Sequence, residues 1–264
     1  MDIFRILNFK YFITERYYYM KKLVFLILIQ LLVWNCSSSV DTTTLTAEQH
    51  LEYAKQLMLD KDFDEAIREF QSILLQYAGS PVNDDAQYFL ALTYYKKGQY
   101  LLAAYEFSKL IKGIPSSEFV QDAQFMLADS YYQLSPSYQL EQSYSKKAVE
   151  EFQAFIEFFP LHPKAEEAER KISELYSKFA EKDYNSAVIY EKMEYYTAAI
   201  NYFTMVKDTY HDSQYAPLAH YRLIKLLILR NRTDEALRNI SEFFNKYPKS
   251  DIVNELKSLS EELE

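Results

Sequence analysis

The chain is poor in the residues on which most enzymes and β-rich folds depend. Its 264 residues include one cysteine, three glycines, one tryptophan and four histidines. A lone cysteine, Cys36, closes no internal disulfide and builds no zinc centre without a cluster of other ligands. Gly79, Gly98 and Gly113 are too few for a phosphate-cradling loop or for a fold full of tight β-turns. Basic residues are outnumbered 29 to 38, and the net charge of −9 argues against a nucleic-acid surface. His50, His162, His211 and His220 are scattered, with no acids at ligand spacing, so neither a metal nor another cofactor is expected. Asp60, Asp62 and Asp64 have calcium-loop spacing. The sixth position is Glu65 rather than Gly, however, and the twelfth is Gln71 rather than Glu, so a polar turn before a helix start that favours acids accounts for them. With no nucleophile turn either, the chain is not expected to be an enzyme.

What is abundant is aromatic: 17% of the residues, including 25 tyrosines. The N-terminus holds the long apolar run. Met20-Lys21-Lys22 precedes Leu23 to Val33, a stretch of secretory length and too short to span a bilayer. Residues 1–19 fit poorly in front of it and suggest either an upstream misassigned start, with Met20 as the true one, or an unusually long basic region. Residues 1–35 read as a signal peptide. Cys36 stands where a lipoprotein signal places its lipidated cysteine, and "VWNC" resembles a lipobox, although Trp34 and Asn35 stand where small residues are usual. Several acyl chains on Cys36 would make a durable membrane anchor. Ser37 in second place resembles an outer-membrane sorting signal. The plainer alternative is a secretory signal with an incidental cysteine. Residues 36–46 then form the lipid anchor and a Ser/Thr-rich tether.

From residue 47 onward helical periodicity dominates and strand alternation is nowhere sustained. A motif recurs five times: a lead residue, alanine three later and a bulky residue seven later. Its instances are Phe63/Ala66/Phe70, Tyr100/Ala103/Phe107, Ser145/Ala148/Phe152, Tyr196/Ala199/Phe203 and Thr233/Ala236/Ile240. These spacings put each triplet on one helix face, and the alanine lets a neighbouring helix approach closely. The stretches "DAQYFLALTYYKKGQY" and "DAQFMLADSYYQL" are near-copies that precede two of the motifs, and "APLAHYRLIKLLILRNR" is a weaker third. Breaks with an aromatic residue and then a polar residue or proline follow four of the motifs, and Ile114-Pro115-Ser116-Ser117 is the equivalent break after the second. Pro81, Pro163 and Pro217 sit at or near the next helix start, where a missing N–H costs little.

Each unit is therefore a helix–turn–helix that resembles the tetratricopeptide repeat. The lead positions are spaced 37, 45, 51 and 37 apart, against about 34 for the regular repeat. An inserted loop, Ser135 to Ser143, and one long helix from about Pro163 to Lys192 explain the two long intervals. The expected fold is all-α, a right-handed superhelix of about five helix pairs. The units run roughly 47–80, 81–115, 116–160, 163–213 and 214–250, and an acidic-faced helix caps the array at 251–264.

Five units behind a lipoprotein signal, the irregular third and fourth units, and the stretch "AIREFQSILLQYAGSPVNDDAQYFLALTYYKKGQYLLAAYEFSKL" resemble the BamD (YfiO/ComL) family of outer-membrane assembly lipoproteins. The likeness extends from Met20 to nearly the end of the chain. It implies an outer-membrane lipoprotein facing the periplasm. Its N-terminal repeats would receive unfolded outer-membrane protein precursors. Its C-terminal repeats would dock on the periplasmic domains of the β-barrel insertase, alongside other assembly lipoproteins. No catalytic residue is implied. A second reading is a repeat lipoprotein that coordinates envelope constriction or peptidoglycan synthesis.

Most aromatics at motif positions are expected in the core. The first-helix tyrosines Tyr53, Tyr88, Tyr95 and Tyr132 are candidates for a concave peptide groove, because tyrosine offers an apolar face with a hydroxyl. Lys55, Gln87, Gln124 and Asp129 are the polar candidates beside them.

Overall fold

In a computed structural model, residues 21–22 and 42–263 are described. Cys36, with the leader apart from Lys21 and Lys22 and the tether before Thr42, lies outside the described residues. Thr42–Thr44 form a single 3-10 turn, and the described residues up to Leu45 form a unit of their own. The unit from Thr46 onward is all-α, with eleven helices among the described residues.

The helices pair in chain order. The first helices are α1 (Ala47–Leu59), α3 (Asn83–Lys96), α5 (Val120–Gln133), α7 (Ala165–Lys192) and α9 (Tyr215–Leu229). Their partners are α2 (Phe63–Gln76), α4 (Tyr100–Gly113), α6 (Ser143–Phe158), α8 (Tyr196–Thr209) and α10 (Thr233–Lys246), and α11 (Val253–Leu263) closes the series. Each helix packs on the one before and the one after, and α1, α3 and α5 also touch in sequence, as do α7 and α9. This is a tetratricopeptide-like arrangement of helix pairs.

The recurrent motif explains the packing. Ala66, Ala103, Ala148, Ala199 and Ala236 are all fully buried, as are Phe70, Phe107, Phe152 and Phe203, with Ile240 nearly so. The lead residues Phe63, Tyr100 and Tyr196 are half-buried. The bulky ring sits in the seam, and alanine at the crossing allows the backbones to approach. Residue Pro217 lies at the third position of α9, still among the N–H groups that have no partner within the helix.

Four of the five pairs turn in the same way. Lys61, Gly98, Glu194 and Asn231, each two residues before a lead position, have φ of 67°, 79°, 62° and 55°. The next residue's N–H reaches back five residues, as in Asp62 to the Leu57 carbonyl and Arg232 to the Leu227 carbonyl, both 2.9 Å. This is a Schellman-type close, and it uses glycine once in four. The third pair replaces it with the loop between Gln133 and Ser143, held by Gln142, whose Nε2 donates to the Ser137 and Leu140 carbonyls at 2.8 and 3.0 Å.

The 28-residue α7 spans two cores. Ala168, Leu175 and Phe179 pack with α5 and α6, and Ala180 and Ala187 pack with α8 and α9. Tyr210 touches both clusters. Among the described residues no helix is long and apolar enough to cross a membrane.

Candidate functional site

The first helices carry a repeated grouping of a lysine, an aspartate and an aromatic ring. Lys55 of α1 lies 3.9 Å from Asp85 and 4.7 Å from the Phe89 ring centre. Lys164, just before α7, lies 3.1 Å from Asp122 of α5 and 4.7 Å from the Phe125 ring centre. Lys171 of α7 lies 2.5 Å from Asp129 and 4.4 Å from the Tyr132 ring centre. One group ties α1 to α3 and two tie α5 to α7 or the residue before it. The Tyr95 hydroxyl of α3, which donates to Asp129 of α5, supplies the link between them, so together they form a ladder across α1, α3, α5 and the start of α7.

The rungs differ in access. Lys171 and Asp129 retain only 11% and 7% of their side-chain exposure, whereas Lys164 and Asp122 retain 37% and 44%. Lys55 and Asp85 lie between these extremes. Burial raises the Asp85 carboxyl above its usual range despite Lys55, so this acid is short of solvent and would gain from a further donor.

The four candidate tyrosines have separate fates. Tyr53 is half-buried, and burial together with Glu69, Glu65 and Asp62 raises its phenol, which places it towards α2. Tyr88 is stacked on Phe119 at 4.6 Å and lies edge-on to Phe107 and Phe89, and burial pushes its phenol up to about 12. The Tyr95 hydroxyl donates to Asp129, and burial followed by that carboxylate holds the phenol well above its ordinary range. Tyr132 donates to Glu174, and burial followed by Glu174 pushes it up to about 12. Tyr95, Tyr132 and Asp129 thus join one network with Lys171 and Glu174, while Tyr53 and Tyr88 stand apart from it.

The polar candidates divide likewise. Lys55 belongs to the ladder. Gln87 and Gln124 are buried inside their pairs: Gln87 Nε2 donates to Glu106 Oε2 at 2.7 Å and Gln124 Nε2 to Glu151 Oε2 at 2.8 Å. His50 and Glu69, 2.5 Å apart, occupy the same place in the first pair. These bridges recur four residues before a buried small residue of the first helix, Ala54, Ala91 or Ala128. That offset was available in the sequence as a sign of interior polar positions. Lys164, Lys171 and Glu174 had no local signal, because their partners lie 42 residues away.

A cavity of about 540 Å³ lies between α7 and the loop after α8, lined by Ile172, Tyr176, Tyr210 and Gln214 among others. Among the described residues no three His, Cys, Asp or Glu side chains are placed to hold a metal. Asp60 ends α1, Asp62 precedes α2, and Asp64 pairs with Lys97 at 2.5 Å. The ladder offers rings, cations and carboxylates in alternation, which suits contact with an extended polypeptide.

Comparison with known proteins adds the following. A family model described as YfiO, outer membrane lipoprotein, matches residues 44–232. The outer membrane protein assembly factor BamD of Rickettsia prowazekii (strain Madrid E) is 27% identical over 232 residues, covering 87% of this chain and 92% of that protein. Among solved structures, a thermophilic tetratricopeptide-repeat protein of Thermus thermophilus is 18% identical, covering 83% of this chain and 98% of its own, with a TM-score of 0.35. A tetratricopeptide-repeat protein of Parabacteroides merdae ATCC 43184 is 16% identical, covering 82% and 73%, with a TM-score of 0.37.

Proposed function

The chain belongs to the YfiO, or BamD, family of outer membrane lipoproteins, and from that premise we propose that it receives unfolded outer-membrane protein precursors and docks on the β-barrel insertase. Cys36 is its lipid anchor, and the array faces the periplasm. The family match carries this reading, and the named function of the Rickettsia relative supports it. The more open rungs, Lys55/Asp85 and Lys164/Asp122, are the contacts for an extended precursor strand. The closed rung Lys171/Asp129, with Tyr95 and Tyr132, holds the helices in register around them. Tyr53 and Tyr88 shape the same helices from within. The C-terminal pairs carry the contact with the insertase.

The test is a mild-detergent pull-down of the tagged chain from envelopes, run beside Cys36→Ala. The insertase should be recovered with the parent chain and less of it with Cys36→Ala. Recovery of cell-wall synthases with no insertase would overturn the assembly role. For the ladder, a synthetic peptide with the aromatic C-terminal strand of an outer-membrane barrel is titrated against the chain. Lys55→Ala with Asp122→Ala should weaken binding about tenfold, a loss of about 1.4 kcal/mol. Unchanged affinity would remove the ladder from the proposal.

A further inference from the structure

The five second helices invite comparison position by position, and one differs. One, two and five residues after the lead position, α2 has Asp64, Glu65 and Arg68; α6 has Lys146, Lys147 and Glu150; α8 has Thr197, Ala198 and Asn201; and α10 has Asp234, Glu235 and Arg238. At these places α4 has Leu101, Leu102 and Tyr105, which are 52%, 47% and 64% exposed. The inner side of α4 is fully served without them, since Ala103, Ala104, Phe107 and Leu110 are all buried. Three large apolar side chains thus stand in solvent where the equivalent positions carry small or polar ones, a departure that core packing does not require.

The same face continues into charge. Residues four, eight and eleven after Leu101 are Tyr105, Lys109 and Lys112, one stripe of the helix. Lys109 is 54% exposed and touches Glu106 at 3.5 Å, but Glu106 is itself largely buried and bonded to Gln87. Among the described residues Lys112 is in no ion pair, and it is exposed. The stripe therefore runs from apolar to cationic over roughly 12–16 Å, at 1.5 Å per residue.

We propose that this outer face of α4 is a docking stripe for one segment of a partner polypeptide that bears apolar residues at one end and carboxylates at the other. Charge complementarity selects that occupant, and the width of one helix fits one segment rather than a plane. A bilayer surface fits poorly, because insertion needs an apolar face and the equivalent positions of α2 and α6, with Asp64, Lys146, Lys147 and Glu150 exposed, carry charges of both signs. The stripe lies on a second helix, outside the ladder of first helices, so the inference stands apart from the proposed precursor site.

The probe is the full chain in its own envelope with Tyr105→p-benzoylphenylalanine, irradiated, with the adduct mapped by mass spectrometry. The expected result is an adduct with one other protein, at a segment that combines apolar residues with carboxylates a few turns away. Lys109→Glu with Lys112→Glu should lower its yield about fivefold or more, and Lys109→Arg with Lys112→Arg should keep it, as an interfacial charge contact requires. The exposed sites should leave thermal melting nearly unchanged. If the reversed pair melts lower, Lys109→Ala with Lys112→Ala supplies the same comparison. An adduct with lipid, with a second copy of this chain or with nothing overturns the proposal, and so does an adduct indifferent to the charge changes.

Discussion

Individual side chains differ most in how their charge is held. Asp129 is buried beside Lys171 and takes the Tyr95 hydroxyl. Lys171→Met would leave that carboxylate without its cation, and a broken buried pair costs about 3–5 kcal/mol. Tyr95→Phe removes one hydrogen bond to a charged group, about 1.5–3 kcal/mol. Urea midpoints should fall in that order, and equal losses would mean that Lys171 carries no special share. His220 gives the acid response. Burial, followed by Lys207, holds its imidazole down at about 4. The unfolded chain takes up a proton near pH 6.5 that the folded chain refuses, so this contribution is complete above about pH 6.5 and is lost as pH falls towards 4, at about 1.4 kcal/mol per pH unit. Glu242 acts lower. Burial raises it, but hydrogen bonds from Lys207 and Lys246 prevail and hold it at about 2, so its contribution is present above about pH 4.5 and fades towards pH 2. His220→Leu should flatten the urea midpoint between pH 6.5 and 4 while leaving the loss that Glu242 brings at lower pH. An unflattened curve would place the acid response elsewhere.

Helices and turns show what local sequence could and could not tell. The alanine triplets made the pairs legible because a close crossing admits little else. Replacing Ala103 or Ala199, both fully buried, with Leu should overpack a seam and cost about 1–3 kcal/mol, and unchanged melting would contradict the close crossing. The turns were less legible. The glycines marked only one of them, since Lys61, Glu194 and Asn231 adopt positive φ in the place where Gly98 stands. The five-residue backbone bond that closes each turn offsets the strain. Lys61→Gly and Glu194→Gly should therefore raise stability, by about 1 kcal/mol each, and a lower melting temperature for both would refute the strain argument. The ladder was hidden for another reason. Tyr95, Tyr132, Lys55 and Asp129 drew notice as residue types, but their partners lie one whole unit along the chain. The inserted loop between α5 and α6 stretches that interval to 42 residues between Lys171 and Asp129, so no fixed spacing announces the pair.

For the described residues from Thr46 onward, contacts run almost entirely between neighbours in the series. Helices α3, α5, α9 and α10 each lend buried side chains to two cores, and the long α7 serves one core with its first half and the next with its second. Such an array distributes stability as local terms plus interfaces between adjacent units. The consequence is clearest at the C-terminal end. Leu256 of α11 is fully buried against Ile224, Ile240 and Phe243. Leu256→Ala removes the centre of that contact and should cost about 2–5 kcal/mol. In a single cooperative unit the loss would appear at every protected amide. In a neighbour-coupled array it should stay near its source. Hydrogen exchange followed by mass spectrometry distinguishes the two. Protection in α9, α10 and α11 should drop sharply, α7 and α8 should change less, and α1 to α4 should keep the parent rates. A uniform drop from α1 to α11 would mean that the series folds as one block, with the two-core helix α7 transmitting the loss along the chain.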